Sequence, residues 1–468
     1  MTNGTTYTFT VQARNEEGTG PSSIPSNAVT PYKPSKGGSG GGSTTTTPAS
    51  TDTSVKVLVN GKVENAGTVT TTTKGNQTVT TVKLDQQKLE QKLASEGYKA
   101  VVTIPVSTKS DIVIGELNGQ MVKNMESKQA VLEIKTGAAI YTLPAQQINI
   151  DAISEQIGRN VALHDIKIQV EIAKSTEETV KVVENSRKKG GFTIVAAPID
   201  FTIKGIYDGK AVEISKFNAY VERLMAIPEG IDPSKVTTGI VVEADGTVRH
   251  VPTEVIVIDG KYYAKINSLT NSTYSVVWHP LEFKDAENHW AKAAINDMGS
   301  RMVVSGVDND MYEPDRDITR AEFAAIMVRA LGLKPGEGMN PFEDVKVSDW
   351  YSDYIETAVA YKIISGYGNG NFGPMDKITR EQAMTMISRA MNITELKAEL
   401  VNGEIEKLLE GFGDGVQSAD YAKRAIAACV KSGIVSGRSD NMIAPKDNIT
   451  RAKVAAIMQR LLKKSKLI

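Results

Sequence analysis

Three arginines stand out by type and by place. Arg320, Arg380 and Arg451 each close an Ile-Thr-Arg triplet: Ile318-Thr319-Arg320, Ile378-Thr379-Arg380 and Ile449-Thr450-Arg451. The threonine has the character of a helix N-cap, and Glu322 or Gln382, three residues on, completes a capping box in the first two copies. Lys453 stands there in the third copy, so its reciprocal half is missing. Each arginine therefore falls at the first helical position, where the helix dipole disfavours a cation by about 0.3–1 kcal/mol. A residue set three times against its local electrostatics needs a separate reason, and two are open. One is an anion site, with the guanidinium and unpaired N–H groups of the first turn converging on a carboxylate or phosphate. The other is an ion pair from each arginine to Asp285, Asp344 or Asp414, stapling one repeat to another.

The triplets belong to a longer pattern. An aromatic ring (Trp290, Trp350, Tyr421) precedes each arginine by 30 residues. A Ser-Gly glycine (Gly306, Gly366, Gly437) follows each ring by 16, and a proline (Pro314, Pro374, Pro445) comes 8 later. Phe283/Asp285, Phe342/Asp344 and Phe412/Asp414 open the copies, and only the Asp-to-ring gap varies. Each copy reads as helix, glycine-rich loop, helix, the second helix carrying an apolar stripe such as Phe323, Ile326, Met327, Ala330 and Leu331. Such self-similarity marks a repeated unit that buries its core against its neighbours. The rings read as core filler in preference to sugar-stacking platforms. Arg329, Arg389 and Arg460 lie late in their helices, where the dipole accounts for a cation.

Phe-x-Asp, then Trp, then Ser-Gly, then Ile-Thr-Arg-Ala-Glu (Ile318 to Glu322) resembles the S-layer homology (SLH) module, in three copies over 283–468. The resemblance implies a pseudo-threefold helical assembly with grooves between repeats. It also implies non-covalent attachment to a secondary cell-wall polysaccharide on the peptidoglycan of a Gram-positive-type surface, commonly ending in pyruvylated N-acetylmannosamine. Carried over by position, Arg320, Arg380 and Arg451 with Gly306, Gly366 and Gly437 would meet the pyruvyl carboxylate and sugar. Asp285, Asp344 and Asp414 with Trp290, Trp350 and Tyr421 would shape the grooves. The third copy departs most, with Tyr421 for Trp, Ala452-Lys453 for Ala-Glu, and Arg438 after its glycine.

The remaining sequence sets bounds. Its 468 residues suggest about three domains. With 54 Lys and Arg against 55 Asp and Glu, no nucleic-acid partner or anionic membrane is indicated. No apolar run reaches the roughly 20 residues of a membrane span. The single cysteine, Cys429, sits in an apolar helical stretch and reads as a buried side chain. The four histidines lack metal-ligand spacing, and no cofactor or metal is expected. Met1 opens no secretory signal pattern, which for a surface protein reads as a fragment or incomplete frame.

The expected fold class is multidomain: an N-terminal β fragment, a β-rich middle (all-β or α+β) and an all-α pseudo-threefold triplet. Residues 1–31 resemble the last two strands of a fibronectin type III domain, with Tyr7 as corner tyrosine. Residues 32–54 are a Gly/Ser/Thr linker. Residues 55–280 are β-rich, in one or two subdomains with a break near Arg187 to Gly191, and helices at Asp85–Ser95 and Asp151–Ile157. The repeats take 281–340, 341–410 (with a linker helix) and 411–468. No nucleophile elbow, P-loop or His-Glu-x-x-His pattern is present, and Glu171, Asp200 and Glu254 pair with nothing the sequence can establish. The middle region reads as a spacer or adhesive module, not an enzyme. Self-association into a lattice, or service as the anchor of a hydrolase, are the other expectations.

Overall fold

The computed structural model describes residues 53–468, apart from Arg159, Asn309 and Ser439, and a scatter of residues between 5 and 19. In that early stretch Arg14–Asn15 pairs antiparallel with Gly18–Thr19. Thr5, Thr8 and Thr10 lie outside any strand, and the rest of the two expected fibronectin-like strands falls outside the described residues.

Between 53 and 278 the chain builds one sheet of sixteen strands. Most neighbours pair antiparallel. Gln77–Leu84 with Ile112–Asn118, and Val101–Pro105 with Val131–Lys135, pair parallel. The helices α1 (Gln86–Glu96) and α2 (Gly119–Ser127) lie in those crossovers, as parallel pairing requires. The sheet curls until its two ends, Val248–Val251 and Thr253–Ile258, are neighbours in sequence. Pro252 divides them because it has no N–H to give a ladder. Its carbonyl still accepts from Asn267 N (2.9 Å), and Thr253 Oγ1 accepts from Gly239 N (2.7 Å). The edges that a flat sheet would expose are thereby almost closed on each other.

Helix α1 has the expected place, capped by Asp85 and burying Leu89 and Leu93, as does α3 (Ile150–Ile157). Helices α2 and α4 (Glu177–Gly190) are additional, so the region is the α+β form of the expectation. Arg187 to Gly191 is the end of α4. Arg187, Lys188 and Lys189 occupy its last turn, and Gly191 caps it at φ 66°, a left-handed conformation glycine adopts without strain. The strands on either side of it belong to the same sheet.

The sheet's core holds an arginine. Arg223 is fully buried and donates to the carbonyls of Val221 (2.9 Å) and Thr270 (2.8 Å) and to Asn271 Oδ1 (2.8 Å). Tyr141 and Tyr274 face its guanidinium at 4.9 and 4.8 Å, with Phe201 and Phe217 just beyond. Hydrogen bonds and ring quadrupoles take the place of a carboxylate. Arg223→Ala would open a void and take one donor from each of those acceptors, although Tyr141 Oη still serves Asn271 Oδ1 and Tyr274 Oη still serves Thr270 O, at a cost of about 3–5 kcal/mol. Arg223→Met should keep most of the stability, since it refills the void while Tyr141 and Tyr274 still donate to two of the three acceptors. Urea unfolding of the two variants separates these outcomes.

The rest is helical: α5 (Lys292–Ser300) and α6 (Arg320–Ala330), α7 (Ser352–Ala360) and α8 (Arg380–Ile393), then α9 (Glu404–Glu410) in the linker, and α10 (Asp420–Lys431) with α11 (Arg451–Lys464). The first helix of each repeat packs on the second helix of the one before: α7 on α6, α10 on α8, and α5 on α11. The chain of contacts is therefore a ring. At its centre Ile378 N donates to Ile318 O, Ile449 N to Ile378 O and Ile318 N to Ile449 O, at 3.1–3.2 Å. Cys429 lies in the common core, where burial pushes its thiol up to about 12 and leaves it unreactive at neutral pH.

Repeat one also seats the triplet on the sheet. Tyr220 Oη donates to Leu331 O (2.7 Å), Arg301 Nη1 to Thr253 O (3.0 Å), and Arg249 Nη1 to Gly332 O. Among the described residues no helix is long and apolar enough to cross a membrane.

Candidate functional site

The repeated aspartates fix the loops. Asp285 accepts from Tyr312 N and Glu313 N, Asp344 from Phe372 N and Gly373 N, and Asp414 from Ile443 N and Ala444 N, all at 2.7–2.8 Å. Each carboxylate thus holds two consecutive amides of its own repeat's loop. The Ser-Gly glycines are required by close approach. A Cβ on Gly366 would stand 2.5 Å from Asn371 O and 2.6 Å from the Phe342 ring, and one on Gly437 would stand 2.6 Å from Phe412. At Gly306 the same contacts are 2.8 Å to Met311 O and 2.9 Å to Phe283.

The arginines reach forward into the next repeat. Arg320 Nε donates to Phe372 O (2.9 Å) and Nη2 to Ser365 O (3.4 Å). Arg380 Nε donates to Ile443 O (2.8 Å). Arg451 closes the ring onto repeat one, through Tyr312 O and Ser305 O (both 2.7 Å). Phe372, Ile443 and Tyr312 are the residues whose N–H groups the aspartates hold, so Asp and Arg grip each loop residue from both sides. This accounts for a cation at a helix N-terminus: its charge is spent on carbonyls of the neighbouring repeat.

Two expectations change accordingly. The staple exists, but it runs from arginine to backbone carbonyls. Asp285, Asp344 and Asp414 are used on loop amides and form no ion pair with the arginines among the described residues. The first-turn amides are not free for an anion either. Arg320 N and Ala321 N donate to Asp376 O and Pro374 O, and the same pairing recurs at Arg380 and Glu381, and at Arg451 and Ala452. Any anion site here rests on side chains.

Arg320, Arg380 and Arg451 are only 5 %, 6 % and 6 % exposed, and burial is the main cause holding each guanidinium below its ordinary pKa. The Arg320 guanidinium lies 4.6 Å over each of the Tyr367 and Phe372 rings, and Arg451 lies 4.5 Å over Tyr312. The rings expected in the core are on the surface: Trp290 is 64 % exposed, Trp350 57 % and Tyr421 59 %. The residue after each ring (Ala291, Tyr351, Ala422) is the buried one. Trp290 and Trp350 stand just ahead of α5 and α7, off the helical stripe, and within α10 Tyr421 is turned about 100° from the buried Ala422.

Tyr421 comes to a site by this route. A cavity of about 390 Å³ is lined by Arg320 from repeat one, Gly366 and Tyr367 from the loop of repeat two, Gln382 and Arg389 from α8, and Tyr421 from repeat three. Three expected site residues, Arg320, Gly366 and Tyr421, therefore meet. Glu381 stands behind Tyr421. It is a buried carboxylate that accepts from Lys446 Nζ (2.7 Å) and Ala419 N (3.0 Å), with Tyr421 Oη at 3.4 Å. Arg389, late in α8 where the helix dipole accounts for a cation, also donates to Ser365 Oγ (3.1 Å) and lines the same space.

The other two arginines have different company. Glu322 occupies the Gln382 position facing Arg451, with Oε1 3.6 Å from its Nη1 and 2.8 Å from Arg316 Nη2. Lys453 is the equivalent beside Arg380, where Arg438 is also close enough for the cations to repel. Among the described residues the Lys453 ammonium makes no hydrogen bond or ion pair. Arg438 pairs with Asp447 at 2.7 Å. The three grooves thus present an amide, a carboxylate and an ammonium beside the same guanidinium.

The family model of the S-layer homology domain matches residues 282–324, 341–384 and 411–455. An amylopullulanase of Thermoanaerobacterium thermosulfurigenes is 35 % identical over 268 residues, 57 % of this chain and 14 % of the relative. The exoglucanase XynX of Acetivibrio thermocellus is 37 % identical over 198 residues, 42 % of the chain and 18 % of the relative. A surface layer protein of Brevibacillus choshinensis is 31 % identical over 137 residues, 27 % of the chain and 12 % of the relative. The chain spans less than a fifth of the length of each. An alignment of 268 residues is longer than the stretch from 282 to the last residue, so the amylopullulanase likeness runs back into the sheet region. The chain carries three S-layer homology domains, modules of cell-wall anchoring, and is a cell-surface protein.

Proposed function

We propose that the triplet holds this chain on the wall by binding an acidic, pyruvylated secondary cell-wall polysaccharide, with Arg320 facing the ligand's carboxylate. The observation that carries the reading is the open cavity in which Arg320, Arg389, Gln382 and the exposed Tyr421 converge. A nearly buried guanidinium with one edge held by carbonyls has its remaining N–H groups for a carboxylate. The neighbouring ring offers a flat apolar face to a pyranose, and Gln382 offers amide donors at the cavity's rim.

Sedimentation of the full chain with purified walls tests it. Native walls should retain the protein and depyruvylated walls should not. Tyr421→Ala combined with Arg389→Ala should weaken retention about tenfold, or ~1.4 kcal/mol, while the melting temperature stays near that of the parent. Equal retention on native and depyruvylated walls would refute the carboxylate as the recognised group.

The named relatives favour a second reading, in which the anchor serves a polysaccharide hydrolase or joins a surface lattice. The sheet region is then a non-catalytic spacer. Two of its acids are already engaged: Asp200 accepts from Ser175 Oγ (2.7 Å) and Thr273 Oγ1 (2.6 Å), and Glu254 pairs with Lys265 at 2.5 Å. Release of sugars by the full chain from wall or plant polysaccharides would overturn the spacer reading. Residues 1–31 are retained in this proposal as closing strands of a fibronectin type III sandwich. Their rapid proteolysis beside an intact 53–468 would count against that.

A further inference from the structure

Beyond Tyr421 the Arg320 cavity continues into a second, larger one. This space of about 740 Å³ shares Thr385, Arg389 and Tyr421 with the first and runs on between α8, α10 and residues 395–400. Its far wall is the linker that makes the second repeat longer than the first. That wall is built into the fold. Leu396 N donates to Met391 O (3.0 Å), and Lys431 Nζ ties Glu399 O (2.5 Å) and Glu404 (2.7 Å). Leu396, Ala398 and Ile405 pack on the common core, and Leu409 is buried in it.

The lining is mixed. Ser388 and Asn392 supply a hydroxyl and an amide, Glu395 a carboxylate and Arg424 an exposed guanidinium. Among the described residues Arg424 makes no hydrogen bond or ion pair. Alternating donors and acceptors of both signs suit uncharged, hydroxyl-rich groups better than a second anion. Both volumes lie within the ~300–1,000 Å³ range of small-ligand sites.

We propose that this second cavity is an extended subsite taking the neutral sugar units that follow the acidic terminal residue of the wall polymer. It makes this groove a reader of chain length as well as of the terminal acid. The inference rests on the wall-polymer reading of the Arg320 cavity. Tyr421 is the partition that the two cavities share.

Titration calorimetry on the full chain tests it, with pyruvylated N-acetylmannosamine as one probe and a tetrasaccharide of the wall polymer ending in that residue as the other. The tetrasaccharide should bind about tenfold or more tightly than the monosaccharide. In Arg424→Glu, and separately in Ser388→Trp, which fills the cavity from the α8 side, the ratio should fall towards one, with circular dichroism confirming the parent fold. Equal affinities for the two probes in the parent chain would overturn the extended subsite and leave the Arg320 reading standing, as would a ratio that survives both variants. If neither probe binds, the wall-polymer reading falls and the subsite with it.

Discussion

Replacing Arg320, Arg380 and Arg451 together with alanine is expected to unfold the helical triplet in the absence of any ligand. Each arginine bonds carbonyls of the next repeat from a nearly dry position, and a charged hydrogen bond of that kind contributes about 1.5–3 kcal/mol. The three links form a closed ring with the isoleucine triad at its centre, so each supports the geometry of the other two. Their combined loss approaches the ~5–15 kcal/mol by which a whole domain is stable. Singly, Arg451→Ala should cost more than Arg380→Ala. Arg451 gives up two carbonyls at 2.7 Å, whereas Arg380 gives up one at 2.8 Å. Hydrogen exchange reads the result directly: the Ile318, Ile378 and Ile449 amides should lose protection in the triple variant. Retained protection would mean that the arginines are there for the ligand and not for the fold. Loss of wall binding in the triple variant is therefore no proof of contact with the polymer.

The arginines' bonds to the next repeat show which parts of the molecule were legible in the sequence. The capping boxes at Thr319 and Thr379 form as their spacing says, whereas Thr450 makes no side-chain cap at all, beyond the reciprocal half that Lys453 removes. Those devices are local, set by residues three apart. Where the arginine points depends on the next repeat, which local spacing does not encode. The exposed rings failed for a related reason. A repeated tryptophan looks like core until the helix start is fixed: Trp290 and Trp350 fall just ahead of α5 and α7, and in α10 the small buried Ala422 beside Tyr421 carried the phase. In the sheet, apolar runs such as Val131–Ile134 and Tyr274–Val277 announced their strands. Lys62–Lys74, rich in threonine and exposed along most of its length, did not. Helix α4 escaped because its few apolar positions are β-branched valines in a run of charges, and it buries only Val183 and Ser186. Its threonine cap and closing glycine were the available signal.

Gln382→Glu is expected to remove most wall binding while leaving the fold intact. Gln382 accepts from Thr379 N (3.1 Å) to close its capping box, and glutamate does the same from Glu322 to Thr319 N (2.8 Å) one repeat earlier. The substitution therefore copies into the Arg320 groove an arrangement this protein already uses beside Arg451. What changes is the charge at the cavity rim, where a carboxylate would compete with the ligand's for the guanidinium. Like-charge opposition across a partly desolvated contact costs a few kcal/mol, so about ten- to a hundredfold in affinity should go. The converse change, Glu322→Gln, should relieve the Arg451 groove and raise the number of ligand molecules bound at saturation. It would also take from Arg316 one of its two carboxylates, leaving Glu313, so some loss of thermal stability should accompany the gain. Calorimetric stoichiometry on both variants measures the two effects together. Undiminished binding by Gln382→Glu would place the acid-recognising site elsewhere, with the cationic groove of Arg380, Arg438 and Lys453 next in line, since there the neighbouring cations would favour an anion that the Arg451 groove repels.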